Sequence, residues 1–303
     1  MKLMEEISSA DLEIKRAAQL SIVELSIGSI GHGMKIPLTG QLLSLNQLAF
    51  LLNAINNDRL PVSSSFEISS IAGVLKSFSP AGQKLGPMFS ITMQGFLFWL
   101  SCRLFRNNFV GQIIGAFLLC LWSFIQPLVT YFLIYGFELL NIYTYYEKKL
   151  AQDFSFIHQS ILFGILLVFT LKITSAIALV IYSLKTKKVI QFFNDEQIQN
   201  LSRRAVSGKA VNTPWVGALK DMTRPLFVFS FVLMGLFAWQ IDGPMSHKIW
   251  ISLRPLATAF LLFYLVRSPA VGRQLFRWSQ RSSKFNNIYQ KAKKALELIR
   301  PRG

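Results

Sequence analysis

Long apolar runs separated by short polar turns set the pattern of this chain. Leu85 to Cys102 and Asn107 to Phe137 contain no charged residue, and the turn between them carries only Arg103 and Arg106. About 20 apolar residues cross the hydrocarbon core of a bilayer. The pair therefore predicts a transmembrane hairpin with its basic turn on the cytoplasmic side. The other segments hang from it. Ala17–Met34 carries small residues at helical spacing (Ala17, Ser21, Ser26, Gly28) around one acid, Glu24. Leu38–Ile55 is amphipathic, with Gln41, Asn46 and Gln47 among leucines, so its polar side should face protein or a cavity. A polar loop over 56–65 leads to a short third segment, Phe66–Phe78. Leu85–Arg103 and Phe109–Gly136 are the fourth and fifth.

A charged, aromatic connection follows over 137–154, where Tyr143, Tyr145 and Tyr146 suit a membrane interface. The sixth segment, Phe156–Leu184, is interrupted by Lys172. Residues 189–222 are polar, and Pro225–Ile241 and Ile249–Val266 form two further spans. In the tail, Ile288, Ala292, Ala295, Leu296 and Ile299 recur at helical spacing between Lys and Arg, a stripe suited to a helix on an anionic inner leaflet. The predicted organisation is a leader over 1–16, a six-helix membrane bundle over 17–188, a linker over 189–223, two additional transmembrane helices over 224–267 and a basic tail over 268–303. The expected fold class is an all-α integral membrane protein.

Composition agrees. Only 16% of the 303 residues are charged, against about 25% in soluble chains, and the mean hydropathy is +0.40. The net charge of +17 is read as cytoplasmic loops rich in Lys and Arg rather than as a nucleic-acid surface, because no aromatic-basic recognition motif accompanies it. Up to residue 188, nine Lys and Arg fall on the predicted inner side and five on the outer. Eight crossings bring both termini to the cytoplasmic side. The leader lacks a signal-peptide core. Cys102 and Cys120 lie inside spans without CxxC spacing, so neither a disulfide framework nor a metal site is indicated.

Polar side chains at a shared depth are the candidate chemistry. At about 1.5 Å per residue, Asn46 and Gln94 lie roughly 12 Å below the outer ends of their segments and Gln126 roughly 15 Å. Gln47 adjoins Asn46, and His158 sits near the outer mouth of the sixth segment. Two readings stand beside each other: a pocket open to the outside, or interhelical hydrogen bonds that hold the bundle together. Trp99, Trp122 and Tyr131 are candidates to stack on a ring-shaped ligand or to pack. Lys172, a cation deep in a span, either pairs with Glu24 or holds an anionic group of a substrate. Arg254 is expected to snorkel outward. No P-loop, HExxH or GxSxG motif and no nucleophile-base set occurs, so no enzyme activity, cofactor or catalytic residue is expected.

Residues 17–189 resemble the substrate-binding S-components of energy-coupling-factor transporters, the bacterial vitamin-uptake machines. The resemblance lies in the six-segment layout, the small-residue first segment and the Lys35-Ile36-Pro37-Leu38 loop. It continues in the Pro-Gly turn entering GPMFSITMQGFLFWLSCRLF and in the helix IGAFLLCLWSFIQPLVTYFLIYG. It implies a substrate-capture subunit of the bacterial inner membrane, taking a vitamin-like or other small nutrient at Asn46, Gln47, Gln94, Gln126, His158 and Lys172. It also implies a coupling transmembrane protein and two ABC-type ATPase subunits as partners. The family's Ala-x-x-x-Ala docking pattern is matched by Ala17-x-x-x-Ser21, a departure at the second position. Anionic lipid is the expected partner of the tail. The rivals are a stand-alone transporter or channel and a structural or assembly membrane protein.

Overall fold

Each apolar run folds as a helix in the computed structural model, and no strand occurs among the described residues. Those residues are 8–33, 38–76, 85–153, 155–186, 188–193, 196–198, 200–201, 213–223, 225–240, 244–268, 274, 277 and 283–299. The helices are α1 (Ser9–Gly33), α2 (Thr39–Leu52), α3 (Ser63–Lys76), α4 (Leu85–Leu104), α5 (Phe109–Tyr135) and α6 (Glu138–Asp153). They continue with α7 (Ser155–Thr186), α8 (Pro214–Met222), α9 (Pro225–Gln240), α10 (Met245–Arg267) and α11 (Ser283–Ile299). A single π-helical turn, Asn53–Asn57, extends α2. The stretch expected as an aromatic connection is itself a helix, α6, and α1 starts eight residues before the predicted segment.

Among the described residues, three helices are long and apolar enough to cross a membrane: Phe109–Tyr135, Leu162–Thr186 and Met245–Leu265; Phe227–Gln240 is apolar but shorter. The protein is therefore all-helical and carries the means to associate with a membrane.

The chain forms two compact units, and two of the boundaries between them fall inside α5 and inside α7. The first holds Met1–Ile125, Leu171–Ala210 and Phe276–Gly303. Its tightest contact is between α3 and α4, and the sequence explains it. Ser65, Ser69 and Gly73 recur every fourth residue on α3, opposite Thr92 and Gly95 of α4. A Cβ at Gly73 would lie 2.5 Å from Thr92 Oγ1, and one at Gly95 would overlap Ser69. Small residues let the two backbones close up and gain dispersion contacts that larger side chains would prevent. Around this pair the core is formed by Leu20, Leu48, Leu51, Leu52, Ile68 and Ile71, all fully buried.

The tail helix α11 belongs to this first unit and packs on α1 and α3. Its apolar stripe, Ala292, Ala295 and Ile299, is buried in the core, so protein occupies the face that the sequence assigned to lipid. Lys293 and Lys294 remain exposed. Lys291 pins the helix by hydrogen-bonding Glu13 of α1 at 2.5 Å and Glu67 of α3.

The second unit holds Gln126–Thr170 and Val211–Leu275. Its core is formed by Ile134, Tyr135, Phe227, Met234, Ile251 and Ala259. Two tyrosines, the buried Tyr135 and the half-buried Tyr146, keep their hydroxyls bonded: Tyr135 to Ser230 at 2.7 Å and Tyr146 to the Leu233 carbonyl at 2.8 Å. Trp215 of α8 lies against Phe260 and Tyr264 of α10, with centroids 5.0 and 5.4 Å away. The half-buried Arg254 donates its guanidinium to the Tyr135 carbonyl at 2.7 Å, supplying a cation to the negative end of α5.

Candidate binding site

Two polar ties cross the first unit, and α2 contributes to both. At one, Asn56 in the π-turn donates to Gln112 Oε1 of α5 at 3.0 Å and to Ser183 Oγ of α7 at 2.9 Å. Gln112 Nε2 returns a bond to Asn56 Oδ1 at 2.8 Å. Asn53 reinforces it by exchanging bonds with the backbone of Ile190, 2.7 and 2.9 Å. At the other tie, Gln41 meets Ser123 of α5 and Lys172 of α7. On α5 and on α7 the two ties are eleven residues apart, about three turns, so each helix meets both ties with the same face. On α2 the separation is fifteen residues, which leaves the face off by about 60° at 3.6 residues per turn. The wider i→i+5 turn of the π-helix takes back part of that rotation.

The second tie is the chemically distinctive one. The Lys172 ammonium donates to Gln41 Oε1 and to Ser123 Oγ. It also lies 5.1 Å from the Phe124 ring centroid, within cation–π range. The Ser123 hydroxyl, 2.7 Å from Gln41 Oε1 and 2.6 Å from the Cys120 carbonyl, donates to one of them. Gln41 Nε2 donates to the Ser123 carbonyl at 3.4 Å. Lys172 is 4% exposed, and among the described residues no carboxylate pairs with it. The site reaches the surface through Gln41, which is half-buried between the exposed Leu38 and Leu42.

Glu24 belongs elsewhere. Its carboxylate lies 3.8 Å from the Lys76 ammonium, which also donates to the Glu24 carbonyl, and both residues are buried between α1 and α3. Of the two alternatives for Lys172, the pairing with Glu24 is thus replaced by a Glu24–Lys76 pair, Lys76 being one of the five charges counted on the outer side.

The remaining predicted site residues scatter. Gln47 is fully buried and ties helices together, donating to Ser69 Oγ at 3.0 Å and to the Ile91 carbonyl at 2.8 Å. Gln94 is buried and donates to Ser90 on its own helix at 3.2 Å. Asn46 is buried with its Nδ2 unpartnered. Gln126 falls in the second unit, bonded to Thr130 at 3.3 Å. His158 falls on α7, and its side chain lies outside the described residues. Ala17 and Ser21, the predicted docking pair, are both at 0% exposure, with the Ser21 hydroxyl donating to the Ala17 carbonyl at 2.6 Å. In this conformation they line the inside of the unit and present no surface to a partner.

Trp99 packs with Phe66 and Phe96 of the α3–α4 pair, and Trp122 lies against Phe89 at 5.6 Å. Tyr131 stacks on Tyr135 in the second unit. Gln41 and Ser123 are the functional candidates that sequence reasoning missed. Gln41 stood out as a polar residue of an amphipathic segment, whereas a serine in an apolar helix carries no signal of its own.

Two surface depressions, of about 290 Å³ beside Trp239 and Lys248 and about 570 Å³ beside Asp11 and Lys294, include none of the predicted site residues. No family model matches the chain, and neither a curated protein nor a solved structure matches it. What the fold defines, among the described residues, is an all-helical protein with three helices able to span a bilayer and, in its first unit, a buried lysine held by neutral partners.

Proposed function

We infer that this chain is a membrane-embedded capture subunit for a small molecule, whose uptake is energised by partner subunits. The observation that carries this reading is the Lys172–Gln41–Ser123 cluster. A cation buried in a helix apolar enough to span a bilayer is costly to keep and marks a functional position. The resemblance of residues 17–189 to S-components supplies the mechanism: six helices bind substrate from outside and reorient on a coupling protein driven by two ATPases. In this reading the chain lies in a bacterial inner membrane with both termini cytoplasmic. α9 and α10 are the two helices added to the six, and the exposed Lys293 and Lys294 face anionic lipid.

The burial of Ala17 and Ser21 favours a second reading, a stand-alone transporter or channel that needs no docking face on α1. A mild-detergent pull-down from native membranes separates the two. Stoichiometric recovery of an ATPase pair with a coupling membrane protein is expected from the capture subunit. Recovery of the chain alone, with solute movement into liposomes in the absence of ATP, establishes the stand-alone transporter instead.

A further inference from the structure

α9 and α10 pack together in the second unit, and the depression of about 290 Å³ beside Trp239 and Lys248 is a groove between them. Gly235 and Ala238 line it from α9, and Leu253 and Leu256 from α10. The glycine opens it: a Cβ at Gly235 would meet no atom within 4 Å. From Lys248 to Leu256 the groove follows α10 for about 12 Å, at a rise of about 1.5 Å per residue.

Its two ends differ in chemistry. Toward Leu256 the lining is aliphatic, whereas the other end carries Trp239, 72% exposed, and the half-buried Lys248. The Lys248 ammonium donates to the Trp239 carbonyl at 3.1 Å, which holds it at the end of α9 with donors to spare. Neither helix contains an acid, and among the described residues no carboxylate pairs with Lys248. Asp242, between the two helices, lies outside the described residues. Lys248 also stands in the first turn of a helix long and apolar enough to cross a bilayer, whose spanning window is only 17% buried. Lysine and tryptophan at the end of such a helix belong at headgroup depth.

We propose that this groove binds one anionic phospholipid, with an acyl chain along Gly235, Leu253 and Leu256 and the phosphate paired with Lys248. The exposed flank of α10 has lipid as its neighbour, an acyl chain matches an aliphatic groove, and the cation at the mouth complements a phosphate. A soluble ligand fits less well. Besides Lys248 and the Trp239 indole, Ser252 is the one polar side chain in the lining, and its hydroxyl already donates to the Lys248 carbonyl at 3.1 Å. A zwitterionic headgroup brings its own cation and gains less from Lys248. The site concerns the two helices added to the predicted six and stands independently of the capture reading.

The test is native mass spectrometry of the full-length protein, stripped of lipid in detergent and titrated with phosphatidylglycerol or phosphatidylcholine of the same acyl chains. Wild type should bind phosphatidylglycerol at least about fivefold more tightly, the scale set by one lysine against an anionic lipid. In Lys248→Gln the two lipids should bind equally, at the phosphatidylcholine affinity of wild type. Gly235→Leu puts a side chain into the groove, so both lipids should bind about tenfold more weakly, as for about two methylene groups denied burial. Its Tm should not fall, because the open space spares it a clash and leucine favours a helix over glycine. The basic tail is common to all three proteins, so lipid held there cancels from the comparison. No preference in wild type, a preference retained in Lys248→Gln, or unchanged binding in Gly235→Leu overturns the site. Lys248→Gln keeps the test decisive should Gly235→Leu unfold. A lipid-free dimer that Gly235→Leu dissociates assigns the groove to a second copy of the chain and overturns the lipid site as well.

Discussion

A methyl group at Gly28 would lie 3.0 Å from Lys76 Nζ, 3.1 Å from Glu24 Oε2 and 3.2 Å from Leu43. The glycine is therefore the space into which the Glu24–Lys76 pair is folded, and it explains why α1 can bury an acid beside α3. Removing one partner of such a pair leaves an uncompensated buried charge. Lys76→Met alone should cost about 3–5 kcal/mol, whereas Lys76→Met combined with Glu24→Gln should recover most of it, because a neutral pair has no charge to desolvate. Denaturant unfolding of the two variants in one detergent measures this. Equal losses in the single and double variants would show that the pair does not bear the cost. Lys172 differs at the same scale: its described partners are all neutral, so its charge is held by dipoles and an aromatic face rather than by an acid.

Among the elements, the π-turn at the end of α2 does the most with the fewest residues. Asn56 bridges α5 and α7 at one tie while Gln41, at the start of the same helix, bridges them at the other. Asn56→Ala removes the donor to Gln112 Oε1 and to the Ser183 hydroxyl while Gln112 Nε2 keeps its bond to Asn107 at 2.9 Å, a loss of about 1–3 kcal/mol for buried groups left unpaired. The expected signature is faster hydrogen exchange in the last turns of α7, with α3 and α4 unchanged. A uniform rise across all helices would place the effect in global stability instead.

The attachment of α11 has its own pH dependence. Burial works against the charge of Lys291, but the hydrogen bonds and charges of Glu13 and Glu67 outweigh it and hold its pKa above the ordinary 10.5. A group whose folded pKa is raised contributes fully below its unfolded value and loses its contribution as pH climbs through the folded one. The contact of α11 with α1 and α3 should therefore survive at neutral and mildly alkaline pH and weaken only above about pH 10.5. Limited proteolysis of α11 across that range is the measurement, and release near neutrality would show that the lysine does not hold the helix.

At the scale of the whole molecule, burial divides the helices. Only 28%, 17% and 17% of the candidate spanning windows of α5, α7 and α10 are buried within the protein. Rows of Leu, Ile, Phe and Val stand exposed on them, such as Phe163, Ile165 and Leu166. Apolar surface on that scale calls for lipid or a partner. α1 and α3 show the opposite, with charged and hydroxyl side chains enclosed by neighbouring helices. The compact units follow this packing and not chain order, since the tail helix joins the first unit and α5 and α7 are each divided between the two.

The apolar helices were legible in the sequence because composition alone marks them: charge-free runs of spanning length, turns rich in Gly, Pro and Arg, and a strict stripe in α11 each specify a helix locally, whereas α6 and α8 fall in stretches read as a connection and a linker. The Lys172 position was legible for the same reason, a lone cation in an apolar run. Which residues meet was not. A helix that is apolar all round gives no periodicity to say which face turns inward, so nothing local distinguished Ser123 from its neighbours or paired Glu24 with Lys76. The Glu24–Lys76 and Ser123–Lys172 contacts join residues 52 and 49 positions apart. They follow from helix rotation, from the space left at Gly28 and from the register set by the π-turn, all of which arise only when the helices pack.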